Sequence, residues 1–282
     1  MAFDAQKYKE TTRQQWQDAA EAWNAWGGFL AKWLGPATEE MLDLAKIGSR
    51  SRVLDVAAGA GQQTLVAARR VGASGHVLAT DISPGILDYA LENARIEGLE
   101  NVGTLEADSE NLDVPAESFD AAISRVGLIY FPDQQRALSS IMSALRPGGR
   151  FAAIVYSTPE NNGFFSKPVS IIRERAQLPP PAAGQPGPFS LGAPGALASA
   201  FEDAGFREIE EKVLSAPVVL PTAADCLRFE RESFGALHQM LSGLDDEAQE
   251  SVWGEIGDAL AMFETADGFE GPCELVVAVG TK

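Results

Sequence analysis

The chain has 282 residues, 45% hydrophobic and 22% charged, a size and mixture that suit one soluble α/β domain with insertions. Its formal net charge is −18 and its pI is near 4.5, so the surface repels phosphate backbones and no nucleic-acid partner is expected. No run approaches the ~18–20 apolar residues of a membrane span.

At the N-terminus, Met1 to Lys7 lack the apolar core of a signal peptide, and the cytoplasm is the expected compartment. Trp16, Trp23, Trp26 and Trp33 follow at spacings that lie near one helical face. Gly27-Gly28 is expected to break this segment into two helices. Its aromatics suit two compatible uses, covering a sheet edge and closing as a lid in which Trp23, Trp26 and Phe29 face a ligand. Residues 37–47 read as a further helix, with Met41, Leu42, Leu44, Ala45 and Ile47 apolar.

The regular part starts at Arg52. An apolar strand ends in Asp55, a Gly59-Ala60-Gly61 turn follows, and Thr64–Val71 reads as a helix. Glycines at such a turn let the chain bend tightly and let a ligand approach bare backbone. A second strand, His76 to Thr80, ends in Asp81, where an acid can accept from both hydroxyls of a ribose. Ser83 and Pro84 then open a helix as cap and first turn. A third strand, Val102 to Glu106, runs into Asp108 and Ser109, and a fourth, Phe119 to Ser124, into Arg125. Asp133 could cap the next helix, and the turn Pro147-Gly148-Gly149 feeds a fifth strand at Phe151–Tyr156. The first four runs carry polar residues at the carboxyl ends of strands, where ligands bind in open α/β sheets.

Beyond Tyr156 the alternation stops. Residues 158–195 are rich in proline and glycine around a short helix near 166–176. Gly195–Ala204 reads as a helix and Phe206–Leu214 as strand six, with helices over 222–265 before a last strand, Glu274–Val279. Cys226 and Cys273 make neither a disulfide framework nor a zinc or iron–sulfur set.

Two families use such a glycine turn. A nicotinamide-binding Rossmann domain normally has a third glycine where Thr64 stands and needs no acid at Asp55; the Tyr-x-x-x-Lys dyad of a short-chain dehydrogenase is also missing. The series from Asp55 through Ala57, Gly59 and Gly61 instead resembles the acid–x–G–x–G–x–G turn of class I S-adenosylmethionine-dependent methyltransferases, with Ala57 at the first glycine. The chain is similar to the small-molecule group typified by the ubiquinone/menaquinone-biosynthesis C-methyltransferases, most strongly over 50–157. The resemblance is specific for the cofactor and unspecific for the acceptor, the methylated atom or the oligomeric state.

That resemblance implies a Rossmann-like, seven-stranded, mostly parallel sheet whose last strand is antiparallel, with helical cap insertions. It divides the chain into an N-terminal helical lid (1–48), a cofactor-binding core (49–157, 195–221 and 273–282) and cap segments (158–194 and 222–272). It implies S-adenosyl-L-methionine as cofactor, S-adenosyl-L-homocysteine as product, no metal, and a small-molecule acceptor. Asp55 would orient the glycine loop and reach toward the methionine ammonium; Ala57, Gly59 and Gly61 would offer backbone to the methionine end. Asp81 would bind ribose, Ile82 would pack on adenine, and Asp108 with the Ser109 amide would read the adenine edge. Ser124 and Arg125 would line the methionine and acceptor side.

Tyr130 and His238 are the candidates for a base, though an acceptor that arrives as a thiolate, amine or enolate needs none. The aromatics of the lid and cap point to an apolar or aromatic acceptor, and removal of residues 1–33 is expected to leave the sheet domain folded. Rival readings are a protein methyltransferase and a cofactor-binding partner subunit without transfer activity. The fourth strand's tip lacks the Asn/Asp-Pro-Pro-aromatic and Pro-Cys segments of DNA methyltransferases.

Overall fold

The computed structural model describes residues 3–181 and 185–282; Ala182, Ala183 and Gly184 of the proline- and glycine-rich stretch lie outside the described residues. Three helices open the chain: α1 (Ala5–Asp18), α2 (Ala20–Ala25) and α3 (Gly27–Leu44). Strands and helices then alternate through β1 (Arg52–Val56), α4 (Gln62–Val71), β2 (His76–Asp81), α5 (Pro84–Ile96), β3 (Val102–Glu106), β4 (Phe119–Arg125), α6 (Gln134–Ala144) and β5 (Leu145–Tyr156). Next come α7 (Gly163–Arg175), α8 (Ala196–Asp203), β6 (Arg207–Ser215) and β7 (Val218–Leu220). Three helices follow, α9 (Ala223–Ser233), α10 (Gly235–Leu241) and α11 (Asp246–Ala261), and the chain ends with β8 (Glu264–Thr265), β9 (Gly268–Gly271) and β10 (Glu274–Thr281).

The main sheet has seven strands in the order β3-β2-β1-β4-β5-β10-β6. Strands β1 to β5 pair in parallel, and β10 runs antiparallel to both β5 and β6. This is the expected fold class. Helices cover both faces, so β1 can be apolar on both sides: Val53, Leu54 and Val56 are all fully buried. The strand order reverses between β1 and β4, which opens a crevice at their carboxyl ends. Serine 83 caps α5 by accepting from the Ile86 amide, with Pro84 in the first turn, as its sequence implies.

The N-terminal helices depart from the expected division. The chain bends at Ala19 as well as at Trp26, and α3 runs unbroken through Pro36 instead of restarting near residue 37. Proline removes one backbone hydrogen bond and costs about 3 kcal/mol inside a helix. Here Leu30, Trp33, Leu34, Ala37, Met41 and Leu42 form one buried stripe across it. Each large side chain contributes about 1.5–3 kcal/mol on burial, so the stripe outweighs the defect. Helix α3 therefore belongs to the main core, whereas α1 has no buried residue. Removal of 1–33 would take Leu30 and Trp33 out of that core, so the truncation expected to spare the sheet domain must stop before α3.

A second sheet, β7-β9-β8, was not foreseen, because strands of two to four residues carry no readable alternation. It closes off the helical insertion α9–α11. Helix α9 packs on α2 and α11, and α10 on α1 and α7, so the cap leans on the N-terminal helices across the crevice. Among the described residues no helix is long and apolar enough to cross a membrane.

Candidate active site

A cavity opens at the carboxyl ends of β1 to β4, with an empty volume of about 940 Å³ including its mouth. Strand ends form its floor and α1 and α2 roof it through Lys9, Thr12, Trp16 and Trp23.

The glycine loop is braced from beneath. Asp55 is fully buried; Thr64 Oγ1 donates to its Oδ2 at 2.5 Å and Gln63 Nε2 to its Oδ1 at 3.2 Å. The acid before the turn and the threonine in place of a third glycine are thus partners. Burial raises the Asp55 pKa to about 6 despite those donors. Asp55 orients the loop, but it is not among the residues lining the cavity.

Asp81 holds the loop from the side. Its Oδ2 accepts from the Gly59 amide at 3.0 Å and its Oδ1 from the Ser83 amide at 3.0 Å. The Ile82 amide adds a further backbone hydrogen bond, so of a carboxylate's roughly four lone-pair sites only part remains free. Gly61, at φ +89°, serves packing rather than the cavity: a Cβ there would lie 2.8 Å from Ala90 Cβ. Ala57 is a larger departure than its small side chain suggests, because it sits at φ +57°, where alanine is strained. The next wall accommodates it, since a Cβ on Gly127 would lie 2.4 Å from Ala57 Cβ.

At the far end Ile82, Asp108 and Ser109 line the cavity together. Asp108 Oδ1 accepts from the Glu110 amide, and its Oδ2 takes the Lys9 ammonium at 2.7 Å. Lys9 also reaches Glu110 at 2.7 Å, and Arg13 reaches Glu106 at 2.5 Å and the Ile82 carbonyl at 3.1 Å. Burial pulls the Lys9 pKa down, but the two carboxylates outweigh it and leave it raised. So α1 is latched to the strand ends chiefly by polar contacts.

At the other end Arg125 and Tyr130 line the cavity beside Trp16, Trp23, Tyr156 and Phe234. Burial pushes the Tyr130 phenol well up, so it is a hydrogen-bond donor near neutral pH rather than a base. Ser124 is fully buried under the wall, its hydroxyl without a partner among the described residues. Trp26 and Phe29 are not at the cavity. Trp26 donates to Glu232 at 2.8 Å with Arg228 over its ring, and Phe29 stacks on Trp33 along a separate groove. His238 is not there either: it packs on Trp253 and hydrogen-bonds the Arg231 carbonyl in the cap. Those partners, Arg231 of α9 and Trp253 of α11, hold it on the side of α10 that faces the other cap helices. Phe164, Phe165 and Phe229 are fully buried and form the cap's own aromatic core.

Lys9, Thr12, Gln63, Phe131 and Tyr156 line the cavity without having been singled out from sequence. Only Lys9 had a readable signal. Lys9 and Arg13 are cations one helical turn apart, and Glu106, Asp108 and Glu110 are acids at alternating positions after strand three. Tyr156 ends β5, next to β4 in the sheet, which only the strand order reveals.

Residues 53–149 match the methyltransferase domain family. An uncharacterized protein of Mycobacterium bovis is 34% identical over 194 residues, 68% of this chain and 65% of that protein. Aklanonic acid methyltransferase DauC of a Streptomyces species is 30% identical over 145 residues, 51% of this chain and 64% of that protein. The ubiquinone/menaquinone biosynthesis C-methyltransferase UbiE of Methylococcus capsulatus is 36% identical over 121 residues, 43% of this chain and 49% of that protein. The chain spans just under two thirds of the length of the first of these relatives. Among solved structures, the YcgJ protein of Bacillus subtilis aligns with a TM-score of 0.59 at 19% identity, covering 88% of this chain and 98% of that one, a likeness of fold. The chain carries a class I S-adenosylmethionine-dependent methyltransferase domain, as the resemblance read from Asp55, Gly59, Gly61 and Asp81 implies.

Proposed function

We propose that this protein binds S-adenosylmethionine in the cavity under α1 and transfers its methyl group, in the cytoplasm, to a small, largely apolar or aromatic acceptor. The observation that carries this reading is the polarity of the cavity along its length. One end offers Asp81, Ile82, Asp108 and Ser109; the other offers Trp16, Trp23, Tyr130 and Phe234.

The residues present fit the cofactor. Asp81 keeps lone-pair capacity for a ribose hydroxyl while it fixes the Gly59 amide. Ile82 offers an apolar face to adenine, and Asp108 and Ser109 an acceptor and a donor to its edge. When bound, the cofactor supplies a methyl group on a positively charged sulfur, which a nucleophile displaces in line. The protein's part is alignment and exclusion of water. Trp16 and Trp23 meet edge to face at 5.3 Å between centroids, and Tyr130 packs on Trp16 at 5.8 Å, making a lid over the apolar end.

A roofed cavity also favours a small acceptor over a protein segment, and the charge of −18 disfavours nucleic acid. Calorimetry with S-adenosylmethionine and S-adenosylhomocysteine tests the cofactor, and NAD binding in preference would overturn it. Asp81→Ala should weaken cofactor binding by about 1.5–3 kcal/mol; unchanged affinity would remove Asp81 from the site. Single turnover with methyl-labelled cofactor over a panel of aromatic acceptors tests transfer, with a chelator expected to leave it unaffected. Binding without transfer to any acceptor would favour the partner-subunit reading.

A further inference from the structure

Arg125 ends β4 and is 8% exposed, with its guanidinium at the cavity wall. A guanidinium carries five N–H donors. This one makes a single hydrogen bond to the described residues, from Nη1 to Thr38 Oγ1 at 3.1 Å, and forms no ion pair with them. Asp55 attracts it only from a distance, and burial lowers its pKa to about 10, so it is charged near neutral pH. A buried cation without a counter-ion is costly, by several kcal/mol. Such a group calls for an anion that the folded chain does not itself provide.

Its neighbours at the cavity sharpen the kind of anion. Tyr130 and Tyr156 line the same end, and burial keeps both phenols protonated. Near Tyr156 lies Glu230 of α9, fully buried, its Oε2 without a partner among the described residues. Burial raises its pKa well above the ordinary value, toward the uncharged form, and it is not among the charges that act on Arg125. Around this donor group the walls are apolar: Trp16, Trp23, Leu34, Phe131 and Phe234. The overall charge of −18 works against an anionic ligand, but at physiological salt charges beyond about 8 Å are screened, while Arg125 lies in the wall.

We propose that the acceptor enters as a delocalised oxyanion, a carboxylate or an enolate, on a flat apolar body, with its charged oxygens held by Arg125 and the phenols of Tyr130 and Tyr156. This rests on the cofactor reading above and names the acceptor class for it. In the transfer, the methyl–sulfur bond breaks with its electron pair staying on sulfur. The acceptor's anionic oxygen or carbon supplies the pair for the new bond to the methyl carbon. The two opposite charges cancel and no proton moves, which fits a cavity that His238 does not reach. A neutral methylated product has also lost its attraction to Arg125, which favours its release.

The test is calorimetry on the full chain saturated with S-adenosylhomocysteine. The probes are naphthoate, its neutral methyl ester, and hydroxycoumarin as an enolate. The wild type should bind naphthoate or hydroxycoumarin at least about tenfold tighter than the ester; the tighter of the two fixes which oxyanion is preferred. Arg125→Gln should lose about ten- to hundredfold for the anions while the ester and S-adenosylhomocysteine bind as before. Arg125→Lys, which keeps the charge, should fall between. If Arg125→Gln does not fold, the wild-type preference for anion over ester and the Lys variant still decide.

Equal binding of ester and anions by the wild type overturns the proposal. So does an Arg125→Gln variant that loses S-adenosylhomocysteine while keeping the anions, because Arg125 then serves the cofactor's own carboxylate. A wild type that binds no S-adenosylhomocysteine refutes the cofactor reading instead, and the anion preference, measured without it, still tests Arg125.

Discussion

Helices α1 and α3 come from one tryptophan-rich stretch, yet the fold holds them by different forces. Helix α3 buries Leu30, Leu34, Met41 and Leu42 in the main core. Helix α1 buries no residue; besides its aromatic contacts, it is held by Lys9 and Arg13 against three acids and by Gln17, whose Oε1 accepts from Ser83 and Gly85. Burial of one large aliphatic side chain contributes about 1.5–3 kcal/mol, and a partly exposed ion pair about 0–1 kcal/mol. A helix held mainly by the second kind of contact can leave without unfolding the sheet. Since α1 roofs the cavity, we propose that it is the helix that moves for a cofactor to enter.

The largest test of this contrast is in the core. Leu34→Ala should cost about 2–5 kcal/mol in urea unfolding, and removal of residues 1–33 should abolish cooperative unfolding. Removal of 1–18 should leave it. A folded 1–33 deletion would break the comparison.

A second test sets buried against exposed carboxylates. Burial raises the pKa of Asp55 from 3.8 to about 6. The folded state therefore binds its proton more tightly than the unfolded state. The stabilisation is complete below about pH 4 and is lost as pH rises through about 6, for a change of about 3 kcal/mol at most. Wild-type stability measured against Asp55→Asn across that window should show this loss. A parallel pair of pH profiles would contradict it.

At the loop itself, Gly127→Ala should destabilise by about 1–3 kcal/mol, because its Cβ would meet that of Ala57. Ala57→Gly in the same chain should recover much of that, a coupling that a double-mutant cycle measures. Smallest is the latch: Lys9→Ala should change global stability by less than about 1 kcal/mol but speed release of S-adenosylhomocysteine, and added salt should do the same. Salt-independent release would show that the ion pairs do not hold the lid.

The cofactor half of the molecule was legible because its signals are local. Asp55, Gly59, Gly61 and Asp81 announce a strand, a turn and a strand end within about thirty residues. Seven strands and their sense followed from that resemblance. The acceptor half was not legible in the same way. Which of the lid and cap aromatics reach the cavity depends on how α9 and α10 seat on α2 and α7. Trp23 and Phe234 arrive there, while Trp26, Phe29 and Phe229 pack elsewhere. His238 looked eligible because it lies in the cap insertion, but sequence does not show which side of α10 it takes. The bare guanidinium of Arg125 could not be recognised before its neighbours were known.

Hydrogen–deuterium exchange with and without S-adenosylhomocysteine tests most directly whether α1 is a lid over the cofactor site. The expected result is rapid exchange of residues 5–18 in the free protein, strong protection of that segment and of 57–63 on binding, and slow exchange of α3 in both states. Unchanged exchange over 5–18 and 57–63, or an α3 that exchanges as fast as α1, would contradict it.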